Sequence, residues 1–140
     1  LGKTVAYTLP RANFFHWVLV DIPSSRRMIA EGEFSHGVVS GGKPEVLAAP
    51  MRHGINDYTA WFATDATMTG QYFGYDGACP PWNDERVHHY IFTLYALSVS
   101  RCPLEGVLSG AAVQAAIAPF ILAQAQLTAR YSLNLALNAD

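Results

Sequence analysis

The sequence contains five histidines and two cysteines, the side chains most able to act here as bases, nucleophiles or metal ligands. His88 and His89 are adjacent, so on a strand they point to opposite faces and cannot share one metal ion. Cys79 and Cys102 lack the spacing of metal ligands. The sequence therefore predicts neither a metal site nor a cofactor.

His16 lies within an apolar run, and a buried imidazole needs hydrogen-bond partners. His88 opens a second run of strong β character, with Tyr90 on the same face. If these two runs are neighbouring strands, His16, His88 and Tyr90 converge at one end of a sheet. The alternative is a core His16 that donates to a backbone carbonyl and an exposed histidine pair at a strand start. Spacing alone favours this alternative.

The loop before His88 favours an anion site. Its prolines, Pro80 and Pro81, fix the backbone but offer no N–H, so the donors must come from Gly77, Ala78 and Cys79. A rigid turn that directs amides towards imidazoles suits a phosphate or carboxylate. Histidine suits the same ligand, since a nearby anion makes both ring nitrogens donors.

Two other classes of function compete with this binding site. One is a small hydrolase that uses Cys79 with a histidine base, although no third residue orients the pair and no Gly-x-Ser-x-Gly motif is present. The other is an interaction protein whose pocket is vestigial. No catalytic residue is assigned, and we expect the protein not to be an enzyme.

The composition and charge of the chain argue against some classes of binding partner. The 140 residues suit one domain, and 51% hydrophobic with 14% charged residues is typical of a folded chain with a core. The formal net charge of −2 and the lack of a Lys/Arg run argue against nucleic-acid binding. The longest apolar tract, residues 111–123, is shorter than the ~20 residues of a spanning helix, so no transmembrane segment is expected.

The hydrophobic pattern predicts a mainly β protein. A central strand over 14–22, apolar on both faces, and a strong strand over 88–99 are its main features. Ser109 should cap a helix that reaches residue 118, which Pro119 interrupts. The remaining expectations are a strand at 4–9, a helical turn at 26–30, a short strand or helical turn at 58–63, a loop at 74–83, a second helical stretch to 126 and a last strand at 127–133.

Three segments resemble one known family. FFHWVLVDIP (14–23) is similar to the His-Trp strand of phosphatidylethanolamine-binding proteins. GYDGACPPWNDERVHHYIFTLYAL (74–97) resembles their second signature, and residues 103–134 resemble the helical tail and closing strand of the bacterial Raf-kinase-inhibitor-like branch. The resemblance covers most of the chain after Phe14.

This resemblance implies a single domain over residues 1–140, a Greek-key β-sandwich with short helices near the C-terminus. It also implies a pocket for phosphate or phospholipid head groups without established catalysis, and in some members inhibition of a protein kinase or protease. Phe14, Trp17 and Trp82 are candidate apolar walls, with Trp17 favoured as a core residue. Carried over by position, the ligand-binding residues are His16, Gly77, Ala78, Cys79, Pro81, His88 and Tyr90.

The sequence departs from the family pattern in several places. The acidic stretch before the His-Trp strand is replaced by residues 8–13, which hold no carboxylate, and Ala78 and His89 stand where proline and arginine are usual. A divergent copy, a fragment and an imperfectly determined sequence are the open explanations.

The family's N-terminal strands are also missing, and the chain begins at Leu1 rather than Met. We therefore expect a processed or partial product. It would be cytoplasmic, or periplasmic if a signal peptide was removed. Sheet edges left uncovered by the missing strands would leave room for a homodimer.

Overall fold

The computed structural model describes residues 3–46 and 48–137. Strands predominate over short helices in its regular structure, as the sequence predicts. The elements in chain order are strand β1 (Val18–Val20), strand β2 (Arg52–Gly54), helix α1 (Tyr58–Trp61), strand β3 (His88–Leu97), helix α2 (Gly110–Ile117), a 3₁₀ turn (Ala118–Phe120), strand β4 (Ile121–Tyr131) and a second 3₁₀ turn (Leu135–Leu137).

The described chain forms two compact units. The larger unit contains residues 14–77 and 97–121, with β1, β2, α1 and α2. The smaller unit contains the described residues up to 13, residues 78–96 and the described residues from 122 onward, with most of β3 and β4. Each unit is built from segments distant in sequence, so its contacts are long-range.

An antiparallel pair of strands forms the centre of the larger unit. β1 and β2 pair with Val18 opposite Gly54 and Leu19 opposite His53. Alternation along β1 buries Val18 and Val20 on one face, as the two-residue period of a strand requires. The other buried apolar side chains of this unit are Phe34, Met51, Tyr72, Cys102, Leu108, Val113 and Ile117.

The lack of a side chain at Gly54 allows the backbone of β2 to lie close to the backbone of the segment before α2. A Cβ at this position would lie 2.0 Å from the carbonyl oxygen of Leu108 and within 3 Å of the Val18 side chain. The next residue, Ile55, donates its N–H to the same Leu108 carbonyl at 2.9 Å. Only a residue without a side chain lets the two backbones come this close.

The side chain of Asp21 links the end of β1 to two other segments. It accepts hydrogen bonds from Arg52 Nε at 2.5 Å and from the Cys102 N–H at 2.6 Å. Asp21 adopts a positive φ of 61°, a conformation that aspartate tolerates better than most residues. The Asp21 hydrogen bond raises the pKa of Arg52, which therefore stays charged.

Helix α2 begins where the sequence predicts. The Ser109 hydroxyl accepts from the Ala112 N–H at 3.4 Å, which satisfies one of the free donors of the first turn. Its buried residues Gly110, Val113 and Ile117 follow a helical period. The helix ends at Ile117, just before Pro119 in the following 3₁₀ turn.

The smaller unit contains a two-stranded sheet of β3 and β4. β3 is rich in aromatic and β-branched residues, which favour strands, and it confirms the expected strand at 88–99 within two residues. β4 is exposed along its whole length, and large apolar side chains such as Leu122 and Leu127 face solvent.

The predicted second helical stretch to residue 126 is wrong, because β4 begins at Ile121. Alanine, glutamine and leucine favour helix by only a few tenths of a kcal/mol per residue. Pairing with β3 outweighs that preference. The closing strand therefore starts six residues earlier than its alternating pattern indicates.

Three N-terminal predictions also need correction. The central strand over 14–22 is reduced to Val18–Val20, and it pairs with β2 alone in a two-stranded sheet. The strand at 4–9 is only an isolated bridge of Val5 with Asp84. The helical turn at 26–30 is absent among the described residues, and hydrogen-bonded turns occupy 31–35 instead. Outside Val18–Val20, the hydrogen bonds of these segments go to side chains and loops rather than to neighbouring strands.

The expected turn near 58–63 is confirmed as α1, and the loop at 74–83 has no helix or strand. The sequence does not predict β2, because the hydrophobic pattern around it shows little periodicity. Within the residues described, no helix is long and apolar enough to cross a membrane.

Replacing Gly54 by alanine tests the close approach of β2. The added Cβ meets backbone that has little room to move, so Gly54→Ala should lower the free energy of unfolding by about 3 kcal/mol. Gly32→Ala is the matched control, since its Cβ would meet nothing within 4 Å and it suffers only the strain of a φ of +76°. That control should lose about 1 kcal/mol. Urea unfolding measures both, and equal losses would contradict the packing argument.

Candidate functional site

The residues predicted to bind an anion are divided between the two units. His16 and Gly77 belong to the larger unit, whereas Ala78, Cys79, Pro81, His88 and Tyr90 belong to the smaller one.

In the smaller unit, His88 is oriented by a carboxylate. Its Nε2 lies 2.8 Å from Oδ2 of Asp84, four residues earlier in the chain. Because a carboxylate accepts, Nε2 carries the proton and donates. This bond fixes the ring at the start of β3, and Nδ1 is the nitrogen through which His88 would meet a ligand.

Asp84 is itself buried, with 1% of its surface exposed. Arg11 donates to both of its carboxylate oxygens, with Nη2 at 2.5 Å and Nε at 3.0 Å. The Arg86 N–H donates to it at 2.8 Å. The Arg11 hydrogen bonds, aided by those of His88 and Arg86, hold the pKa of Asp84 far below its ordinary value despite burial. Asp84 is therefore an ionised carboxylate at neutral pH.

Sequence reasoning did not identify Asp84 or Arg11 as site residues. The available signal was the four-residue spacing of Asp84 and His88, which the interpretation of the histidines overlooked. Residues 8–13 stand where the family pattern has an acidic stretch. Arg11, within these residues, is the cation that pairs with Asp84. The carboxylate beside His88 thus comes from another part of the sequence than the family pattern indicates.

The rings of His88 and Tyr90 are close, as the shared strand face predicts. Their centroids lie 6.5 Å apart with an interplanar angle of 27°, and Tyr90 is buried. The carbonyl of Pro81 accepts the Asp84 N–H at 3.1 Å, which connects the proline turn to the same carboxylate-bearing residue. Ala78 is half-buried in the segment before that turn.

Cys79 is an exposed free thiol. Among the described residues, no hydrogen bond joins it to a histidine, so a base that could activate the thiol is not in place. A hydrolase built on Cys79 is therefore not favoured. Within the same residues, no cluster of three or more potential metal ligands occurs.

In the larger unit, His16 is bonded to the loop that contains Gly77. His16 Nδ1 donates to the carbonyl of Asp76 at 2.5 Å, and the Asp76 N–H donates to the carbonyl of His16 at 3.1 Å. His16 lies in a bend before β1 rather than in the middle of a strand. The alternative interpretation of a histidine that donates to a backbone carbonyl therefore holds for Nδ1.

The carboxylate of Asp76 is held by one ammonium donor and one amide donor. Its carboxylate accepts from Lys43 Nζ and from Asn56 Nδ2, the latter at 2.8 Å. Asn56 is 1% exposed and also donates to the Gly74 carbonyl at 3.3 Å, while its Oδ1 accepts the Tyr58 N–H. The loop that contains Gly77 is thus held in one conformation by side chains from distant segments.

An aromatic cluster lies beside His16. The Phe14 ring is 4.8 Å from the rings of His16 and Tyr58, and Trp61 is 6.2 Å from Phe14. Phe14 is thus an apolar neighbour of His16, as expected of a wall residue. Trp17 instead packs against Phe34 and Tyr75, with centroids 6.1 and 6.2 Å away, in agreement with a core role. Trp82 is an exposed residue of the smaller unit.

A family model described as phosphatidylethanolamine-binding protein matches residues 6–132. Since the match covers most of the chain, the chain belongs to the phosphatidylethanolamine-binding protein family, whose members are generally binding proteins. The resemblance read from residues 14–23 and 74–97 is thereby confirmed.

Two curated relatives support the bacterial branch. The UPF0098 protein YbhB of Escherichia coli strain K12 is 32% identical over 86% of this chain and 63% of its own length. A UPF0098 protein of Aquifex aeolicus strain VF5 is 33% identical over 87% of this chain and 58% of its own. The chain therefore spans less than two thirds of each of these relatives.

A solved structure shows the same fold. The crystal structure of E. coli YbcL, described as a new member of the mammalian PEBP family, matches with a TM-score of 0.60 and 28% identity. The match covers 85% of this chain and 61% of that one. The phosphatidylethanolamine-binding protein fold is thus shown for the part of the relatives that this chain covers.

Replacing Asp84 by asparagine tests the buried carboxylate of the smaller unit. Asparagine has no charge to balance Arg11 and turns amide donors towards other donors, so Asp84→Asn should lower the free energy of unfolding by about 3 kcal/mol. Glu85→Gln is the neighbouring control. Glu85 is exposed, and its effect should stay within about 0.5 kcal/mol.

The wild type and Asp84→Asn should differ in how their free energy of unfolding depends on pH. The pKa of Asp84 is lowered by folding, so its contribution is complete above the ordinary value near pH 4 and is lost as pH falls through the lowered folded-state pKa. Urea unfolding between about pH 4 and 2 should therefore show a steeper loss for the wild type than for Asp84→Asn. Parallel losses would mean that Asp84 is not selectively stabilised as the anion.

Proposed function

We propose that the protein is a non-catalytic binding protein for small ligands that carry a phosphate or a similar anionic group. His16 and His88 are the side chains that meet the anion in this proposal. The observation that carries it is the hydrogen bond from His88 Nε2 to buried Asp84, because it fixes Nδ1 as the ring nitrogen that a ligand would reach.

The chemistry of His88 supports an anion rather than a cation as the ligand. A bound anion at Nδ1 would favour the doubly protonated ring, because it stabilises the positive charge. In that state Nδ1–H donates a charge-assisted hydrogen bond to phosphate. Arg11 offsets the charge of Asp84, so the carboxylate does not repel the ligand.

The larger unit offers the same ligand chemistry with different supports. His16 is oriented through Nδ1 by the Asp76 carbonyl, and its aromatic neighbours Phe14 and Tyr58 lower the local polarity. Weak hydration strengthens a hydrogen bond between imidazole and an anion. The Gly77 amide follows the anchored Asp76, as expected for a backbone donor held in position.

The further parts of the proposal come from the family and the sequence. The backbone amides of Ala78 and Cys79, the Pro81 turn and the Tyr90 hydroxyl complete the proposed ligand contacts. A single domain with the Greek-key sandwich of the family, and regulation of a kinase or protease, belong to the same proposal. The YbcL structure supports the fold part of it.

Phosphate and phosphoethanolamine titrations followed by ¹⁵N NMR of the histidine rings test the proposal between about pH 5 and 8. Each of the two rings should shift saturably and stay protonated to higher pH when ligand is bound. His16→Ala and His88→Ala should each weaken binding by about tenfold or more, the loss of one charge-assisted hydrogen bond.

His36→Gln is the control, because His36 is exposed and carries no predicted contact with the ligand. Its affinity should equal that of the wild type. Tighter binding of phosphoethanolamine than of phosphate would identify a head group as the ligand class. If neither His16 nor His88 responds at millimolar ligand, the anion-binding function is wrong.

A further inference from the structure

A second region of the larger unit has the features of a ligand site. A cavity of about 280 Å³ lies against β2 and the segment that precedes α2. None of the residues proposed to bind the anion lines it. Its polar lining consists of Glu45, Arg52, His53, Gln71 and Glu105.

His53 is the unusual member of this lining. It is 2% exposed, and within residues 3–46 and 48–137 neither ring nitrogen has a hydrogen-bond partner. Its ring packs edge-on against Phe34, with centroids 4.7 Å apart. A buried polar group without a partner costs free energy, which a ligand that hydrogen-bonds to the ring would recover.

The protonation state of His53 decides what such a ligand must offer. Burial lowers the pKa of His53, so the ring is neutral at physiological pH. A neutral imidazole keeps one nitrogen as an acceptor. A ligand that donates an N–H therefore fits this ring.

The charges around the cavity favour a cation. Arg52 directs its donors to Asp21 at 2.5 Å and to the carbonyls of Leu104 and Cys102, so Asp21 balances its charge. Glu105 is bonded to Arg101 at 3.2 Å and lies 3.5 Å from Arg52 Nη1, so its charge is also balanced.

Glu45 is the carboxylate left over, since it has no ion-pair partner in the described part of the chain. One excess negative charge matches a monovalent cation rather than a divalent metal or an anion. The Coulombic influence of Glu45 reaches His53, so the two groups act on the same region.

The rest of the wall is apolar. Ile55, Phe73, Val107 and Leu108 line the cavity, and a ligand with a short hydrocarbon portion could bury it against them. A bare inorganic cation would leave these side chains without a contact. An organic ammonium uses both parts of the lining.

We propose that this cavity binds a small primary alkylammonium, which donates N–H groups to Glu45 and His53 and packs its alkyl chain against Ile55 and Phe73. A primary ammonium has the three donors this arrangement can use, whereas a quaternary ammonium has none. The site is independent of the proposed anion-binding residues.

Butylammonium chloride is the probe, and the ¹⁵N signals of the His53 ring are the readout. They should shift saturably, while butan-1-ol and tetramethylammonium chloride leave them unchanged. Glu45→Gln should weaken butylammonium binding by about threefold, as expected for one lost ion pair at an exposed carboxylate. Glu31→Gln is the control, because Glu31 is exposed and does not line the cavity.

His53→Leu provides a second measurement that does not depend on ligand-induced shifts of the ring. Leucine removes the unpartnered nitrogens, so this variant should unfold at higher urea concentration than the wild type and lose butylammonium binding in calorimetry. No saturable shift at tens of millimolar butylammonium, an equal shift with butan-1-ol, or an unchanged affinity in Glu45→Gln would overturn the proposal. Phosphate should leave His53 unmoved, and butylammonium should leave His16 and His88 unmoved, so the two sites succeed or fail separately.

Discussion

Burial of the Asp84 carboxylate is the constraint on which the smaller unit depends. A charge removed from water must be neutralised and hydrogen-bonded, and Arg11, His88 and the Arg86 N–H do this together. The backbone of Asp84 extends the connection, since its carbonyl accepts from Asn134 Nδ2 at 2.8 Å. Three segments remote in sequence are thereby fixed around one residue, and the imidazole that begins β3 is oriented as a consequence.

The larger unit applies the same principle with a different pair of residues. Asn56 is buried and holds the loop at 74–76, and Asp76 in turn fixes His16. In both units a side chain with a structural role sets the direction of a histidine ring. A rigid ring meets a ligand with little loss of conformational entropy, which is why such positions suit binding.

Local signals predicted the elements that tertiary contacts reinforce. β3 follows from its aromatic and β-branched residues, and α2 from the Ser109 cap and the proline that follows the helix. Predictions from local signals were wrong where strand pairing or bonds to loops determine the conformation. Residues 121–126 have the composition of a helix but pair with β3 as part of β4, and most of 14–22 bonds to loops and to α1 rather than to strands.

The family, the long strand β3, the capped helix α2 and the choice of His16 and His88 as candidate binding residues could all be inferred from the sequence. These depend on residue types and on short spacings, which are local properties. Only the tertiary structure decided that Arg11 pairs with Asp84, that Asp76 fixes His16, and that His53 is buried without a partner among the described residues. Each of these involves segments separated by tens of residues, and the burial that controls a polar group's free energy arises only when such segments pack together.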